Sequence, residues 1–138
     1  TAPIAFVGVD GAQVRWNTFH RPRKWLLRIL QETREPEFVP CRNGEFTDNL
    51  VVYAAAEVST PINVGSGTAP ATFVLARNYW FCIDDPRHSI PKLTVAESVA
   101  AGGADPRFLD AAHGDFRLEK GSPAAAHGAH GESGGGKR

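Results

Sequence analysis

The stretch HRPRK, His20 to Lys24, is the densest run of positive charge in the chain, and Arg28 follows it closely. Cations at this spacing suit a polyanion. Lys offers a point charge, and Arg grips a carboxylate through two parallel N–H donors. A solvated loop stiffened by Pro22 has the same composition, so both readings of the stretch stand. Asp84 and Asp85 in CIDDP are the one adjacent carboxylate pair. Neighbouring side chains on an extended segment point apart, so these two do not complete a metal site alone, and Asp85 before Pro86 also suits a turn. NVGSGTAP (63 to 70) is Gly-rich but lacks the Lys-Ser/Thr of a phosphate loop, and a tight connecting loop is expected. Cys41 and Cys82 form neither a CxxC nor a zinc spacing. They either pair as a disulfide or serve as small buried hydrophobes.

The elements that position these groups sit in a chain of 138 residues, one domain's worth, with 42% apolar residues. Fifteen basic residues balance fifteen acidic ones, so no global field favours nucleic acid or an anionic membrane. No apolar run reaches the ~20 residues of a membrane span, and no signal peptide is evident. A start at Thr1 without any Met suggests a processed product or a piece of a longer precursor.

Short apolar runs dominate: IAFVGV (4 to 9), QVRW (13 to 16), WLLRIL (25 to 30), EFV (37 to 39), NLVVY (49 to 53), PINV (61 to 64), TFVLA (72 to 76) and YWFC (79 to 82). Gly, Pro and Asn separate them, which reads as strands and turns. TVAESVAA (94 to 101) alone looks helical, with Thr94 as N-cap, Glu97 at the capping-box position and Gly102 as the stop.

Three Asn residues interrupt the strand-like runs at matched places: Asn17 in VRWNTF, Asn49 in FTDNLV and Asn78 in LARNYW. Asn is depleted in strands, so the recurrence needs a cause. The intervals are 32 and 29 residues, a period that marks stacked repeats. Val14, Phe46 and Leu75 lie three residues before the Asn, and Phe19, Val51 and Trp80 two after it. Five residues apart on a straight strand, the members of each pair would face opposite sides. A sharp bend at the Asn, which tolerates the left-handed conformation, would put both inside. Stacked Asn amides could then bond from one coil to the next. The third strands of successive coils would be WLLRIL and PINV. A β-sandwich also strings short strands between turns, but the ~30-residue period and the interior Asn argue against it.

This pattern over residues 4 to 83 resembles a right-handed parallel β-helix of the pectate-lyase-like kind. The ending ADPRFLDAAHGDFRLEKGSPA is similar to the segment that closes many β-helix domains in secreted bacterial proteins. The expected fold is therefore all-β: about three coils of a right-handed parallel β-helix over 1–93, then a short helix and irregular C-terminal cap over 94–127. A disordered tail is expected over 128–138, and His127 and His130 at its start are not expected to form a designed metal site.

The resemblance implies a secreted or extracytoplasmic protein that binds or processes polysaccharide, an acidic one if the basic residues meet it. The substrate-binding candidates are His20, Arg21, Arg23, Lys24 and Arg28. In lyases of this fold a Lys, Arg, His or Tyr removes the proton next to the uronate carboxylate, so a lyase remains open, and no catalytic residue is assigned. Calcium at Asp84 and Asp85, as in pectate-lyase-like proteins, is the one cofactor the resemblance raises, and none is expected. The alternative is a non-catalytic structural or assembly module. In it, Ile4 to Val9 stack on further β-helix coils from the same precursor or from a partner chain.

Overall fold

The computed structural model describes residues 2–130. In chain order the strands are β1 (Ile4–Val7), β2 (Gln13–Arg15), β3 (Thr18–His20), β4 (Leu27–Leu30), β5 (Glu45–Thr47), β6 (Leu50–Tyr53), β7 (Ile62–Val64), β8 (Val74–Ala76), β9 (Tyr79–Cys82), β10 (Glu97–Ser98), β11 (Ala101–Gly102), β12 (Phe108–Asp110) and β13 (Asp115–Leu118). Every third strand of the first nine joins the same sheet. Sheet 1 is β1-β4-β7, sheet 2 is β2-β5-β8-β10, and sheet 3 is β3-β6-β9-β11, with all neighbours parallel. The protein is thus mostly parallel β-strand in stacked sheets, an arrangement compatible with a β-helix-like fold. WLLRIL and PINV supply adjacent strands of sheet 1, with Leu27 opposite Ile62, Arg28 opposite Asn63 and Ile29 opposite Val64.

The core lies between the sheets. Phe6, Leu27, Ile29, Phe46, Val51, Ile62, Leu75 and Trp80 are all at most 3% exposed and pack in one cluster, with Val14 and Phe19 against it. Both members of each apolar pair around an Asn therefore reach the same interior. Burying one such large side chain contributes roughly 1.5–3 kcal/mol.

The bend that brings them inside has a different chemistry from the one expected. The left-handed residue is the one before each Asn: Trp16, Asp48 and Arg77, at φ 59, 57 and 54°. The Asn instead ties the corner together through its side chain. Asn49 Oδ1 accepts from the backbone N–H of Asn17 (2.9 Å) and from its amide (3.2 Å), and Asn49 Nδ2 donates to the Val14 carbonyl (3.0 Å). Asn78 repeats the pattern one circuit on, taking the N–H and amide of Asn49 (2.9 and 3.1 Å) and donating to Phe46 O (2.9 Å). Asn49 and Asn78 are fully buried, and Asn17, at the end of the row, is half-buried. The bonds to the Asn17 and Asn49 N–H groups satisfy backbone donors at the corners, where the ladder is interrupted.

The expected helix over 94–101 is not formed. That segment starts a fourth, partial circuit: Glu97 pairs with Leu75 in sheet 2, and Ala101 with Tyr79 in sheet 3. Val99 takes the left-handed corner at φ 56°. The carboxylate of Glu97 replaces the next Asn, accepting from Asn78 N (2.8 Å) and Nδ2 (2.9 Å) and from the indole N–H of Trp80 (2.7 Å). Tertiary pairing outweighs the weak local helix preference. Gly102 is not a helix stop. A Cβ there would come within 2.1 Å of the Trp80 carbonyl oxygen, so strand β11 requires a residue without one. The only helical pieces among the described residues are 3-10 turns.

The ending DPRFLDAAHGDFRLEKGSPA folds into the antiparallel pair β12-β13. It covers a second apolar cluster of Leu50, Val52, Tyr79 and Ala124, with Phe81, Ala101, Phe108 and Leu118 around it. Leu50, Val52 and Tyr79 alternate with inward Val51, Tyr53 and Trp80, so this segment lies on the outer face of sheet 3. Its motif residues secure the local turns. Asp115 pairs with Arg117 (2.7 Å), Asp105 accepts from Arg107 N (2.8 Å), and the Ser122 hydroxyl donates to the Pro106 carbonyl. Gly128–His130 form one 3-10 turn, whose Gly128 N–H reaches Asp48 O (2.9 Å). The rest of the expected tail, 131–138, lies outside the described residues.

Candidate functional site

The basic loop joins β3 to β4, from sheet 3 across to sheet 1. Two of its residues, Arg21 and Lys24, hold positive φ (55 and 71°). Non-Gly residues accept this conformation at a cost of about 1–2 kcal/mol. The loop is secured at both: Arg21 N–H bonds Val52 O and Lys24 N–H bonds Glu57 O, each at 2.7 Å, while Pro22 is buried between them. The cationic side chains therefore project from a fixed backbone.

The five candidates fall into three groups. His20 ends β3 and turns to the C-terminal segment, 5.0 Å from the Phe116 ring and 5.9 Å from Phe108. Burial, helped by the neighbouring Arg21, holds its imidazole below the ordinary range, so at neutral pH it adds no fixed positive charge. Arg21 and Arg23 share one counter-ion, Glu57, at 2.9 and 3.4 Å. Lys24 and Arg28 form the third group, and among the described residues neither has an ion-pair partner. Both rest on Trp25: Lys24 Nζ is 4.3 Å and Arg28 Cζ 4.0 Å from its ring centre. Such cation–π contacts contribute roughly 0.5–1 kcal/mol at exposed sites. Arg28 Nε also donates to Asn63 Oδ1 on the neighbouring strand, at 2.9 Å.

The alternation of sheet 1 sets this geometry. Leu27 and Ile29 are fully buried, so Arg28 between them points outward. The same row across the sheet carries Ala5 and Asn63. Ala5 is exposed and has no side chain that could cover the guanidinium. The result is an outward-facing surface of Lys24, Trp25, Arg28 and Asn63, flanked by the Arg21–Glu57–Arg23 cluster. Four cations face one carboxylate there.

Asn63 was missed as a site residue by sequence reasoning and Trp25 was read chiefly as core, and both had a signal. Trp25 adjoins the basic run but reads as core by type. Asn63 sits between Ile62 and Val64 as Arg28 sits between Leu27 and Ile29, so aligning the two strands would have paired them. Of the other Trp and Tyr residues, Trp80, Tyr53 and Tyr79 are buried, and Trp16 is half-buried at its corner.

The remaining motifs have structural partners. Asp84 accepts the backbone N–H groups of Ala55 (2.7 Å) and Ala56 (3.0 Å), which hold its carboxyl down at about 2. Asp85 turns to His88 at 3.0 Å. The two carboxylates thus serve different partners, and no cluster of three or more His, Cys, Asp or Glu side chains suited to a metal occurs among the described residues. Cys41 and Cys82 are both buried free thiols. In the Gly-rich loop, the Thr68 hydroxyl closes a turn on Gly65 O (2.8 Å) and Ser66 meets Arg34. No helix of the described residues is long and apolar enough to cross a membrane.

No family model matches this chain, and no curated protein or solved structure matches it.

Proposed function

We propose that the protein is part of an extracytoplasmic, pectate-lyase-like right-handed parallel β-helix, and that the outer face of sheet 1 binds an acidic polysaccharide. One observation carries the reading. Lys24 and Arg28 are held on Trp25, at a fixed corner, without a carboxylate partner among the described residues. A pair of like charges kept together and open to solvent is complementary to an anion. Of the base types such lyases use, the His and Tyr side chains near these sheets are engaged elsewhere, which leaves Lys and Arg alone for cleavage, so binding is the activity proposed. His20 packs on Phe116, and Tyr53 and Tyr79 donate to backbone carbonyls, with burial raising both phenols.

Calorimetric titration with sodium polygalacturonate tests it. Lys24→Ser with Arg28→Ser should abolish binding and lower the melting temperature by only several degrees, the loss of two exposed cation–π contacts and one surface hydrogen bond. Arg21→Ser with Arg23→Ser should weaken binding less, because Glu57 already offsets part of their charge. Undiminished binding by the Lys24/Arg28 variant would place the site elsewhere.

A second reading, a structural module completed by further coils, has its own support. The strands β1, β2 and β3 are the edges of their sheets at the same end of the stack. Asn17 Oδ1, the last acceptor of the Asn row, takes no hydrogen bond from any described residue. Edge strands are templates for added strands. Sedimentation of the isolated chain decides this reading: self-association or pairing with a coil-bearing fragment supports it, and a stable dilute monomer that pairs with nothing removes it.

A further inference from the structure

We propose that His20 and His127 latch the C-terminal segment, 104–130, onto the outer face of sheet 3, and that mild acid opens this latch and uncovers the apolar surface beneath. This face is separate from the basic surface of sheet 1.

The segment is a cover laid across three circuits. Phe108, Leu118 and Ala124 pack with Leu50, Val52, Tyr79 and Phe81. The Tyr79 hydroxyl donates to Ala104 O (2.8 Å), Gly128 N–H to Asp48 O (2.9 Å) and Ala129 N–H to Thr18 Oγ1 (3.0 Å). One histidine stands on each side of the seam. From β3, the His20 ring lies 5.9 Å from Phe108 and 5.0 Å from Phe116; from the cover, the His127 ring lies 5.4 Å from Tyr79. His127 Nδ1 is shut off from solvent and has no hydrogen-bond partner among the described residues. A neutral imidazole can leave that nitrogen as a bare acceptor. An imidazolium carries N–H on both nitrogens and strands one of them there. Burial accordingly holds both histidines below their ordinary 6.5, with Arg21 adding to the effect at His20. The carboxylates that oppose this shift are already paired. Glu57, near His20, serves Arg21 and Arg23, and Asp48, near His127, takes two donors of Arg77. The cover's own ion pairs, Arg107 with Glu119, His113 with Asp110 and Arg117 with Asp115, lie within it, so release breaks none of them. The docked form thus binds fewer protons than the released one. Closure is at full strength above 6.5 and weakens as pH falls toward the lowered values, by up to about tenfold per pH unit for each histidine.

The test follows the full chain from about pH 8 to about pH 5. Nile red, an uncharged dye that the basic surface does not attract, reads the uncovered apolar face, and far-UV circular dichroism reads the coils. Wild-type dye fluorescence should rise several-fold below 6.5 while the dichroism holds. His127→Leu should roughly halve the steepness of that rise, and His20→Leu with His127→Leu should stay closed throughout. Gly128 gives the open state as a reference. It holds φ 70°, and a Cβ there would come within 2.7 Å of both Leu50 Cβ and Thr18 Oγ1, so Gly128→Ala should bind dye already at neutral pH. A wild-type chain with no rise, a rise that comes only with loss of the dichroism, or histidine variants that open as readily as the wild type would overturn the latch. So would a folded Gly128→Ala chain that binds no more dye at neutral pH than the wild type.

Discussion

Replacing Asn49 by Ala probes the stack at its centre. The Asn49 side chain makes hydrogen bonds to Asn17 N (2.9 Å), Asn17 Nδ2 (3.2 Å), Val14 O (3.0 Å) and Asn78 Oδ1 (3.1 Å), and the residue is fully buried. After truncation Asn78 Oδ1 keeps the backbone N–H of residue 49, but Asn17 N–H loses its partner and the Val14 carbonyl, paired in the ladder of β2 and β5, loses its added donor. The stranded N–H and the lost donor each cost about 1 kcal/mol or more, and the vacated volume adds a smaller cavity cost. The total is about 3 kcal/mol, which for a chain of this size lowers the melting temperature by about 10 °C. Asn17→Ala is the internal control. Its amide donates to Arg15 O and Asn49 Oδ1, but its backbone N–H still bonds Asn49, so the loss should stay under about 1 kcal/mol. Asn49→Asp keeps the acceptor, loses the donor and buries a charge, and should be worse than Ala at neutral pH and recover in acid. Urea titration of the three variants reads this order directly. Equal losses at positions 17 and 49, or a loss below about 0.5 kcal/mol for Asn49→Ala, would refute the interior row of amides as a stabilising element.

Glu97→Gln should cost about 1–3 kcal/mol, because one amide oxygen cannot serve both the Asn78 donors and the Trp80 indole. Burial raises the Glu97 carboxyl above 4.5, so the wild type should lose stability as pH rises from 4.5 through that raised value, and stability curves of the Gln variant should lack this slope. Val99→Gly should raise the urea midpoint. Relief of the left-handed strain (about 1–2 kcal/mol) exceeds the entropic cost of Gly (roughly 0.5–1 kcal/mol) at a corner that is 77% exposed. Asp84 runs the other way from Glu97. Its depressed carboxyl contributes stability that is fully present above 3.8 and is lost as pH falls toward about 2, so Asp84→Asn should flatten acid unfolding across that window when followed by circular dichroism.

The stacked parallel sheets were legible because the three Asn frames repeat both a spacing and a flanking pattern, and the interior position of Phe46 and Val51 on either side of Asn49 follows from that spacing alone. The corner chemistry was less so. Trp16, Asp48, Arg77 and Val99 share no residue type, because the left-handed strain there is held by the Asn bonds and by pairing along the stack rather than by the corner residue itself. Glu97 was misread for a related reason: a Thr-x-x-Glu before Ser-Val-Ala-Ala carries a genuine local helix signal, and only the unfilled donors of Asn78 and Trp80, far off in sequence, redirect it. At the site, the charge of Lys24 and Arg28 was visible as composition. The pairing of Arg21 and Arg23 with Glu57 was not, since it joins residues more than thirty apart through a loop whose register no periodicity sets.

The most direct measurement of the proposed function is a titration of the isotope-labelled protein with oligogalacturonate, followed by NMR at the indole and guanidinium N–H groups. The account predicts that the Trp25 indole and Arg28 Nε–H resonances shift together and saturate at one concentration, while the Trp80 indole, buried against Glu97, stays in place. Shifts centred away from Trp25 and Arg28, or no shift at saturating oligosaccharide, would contradict it.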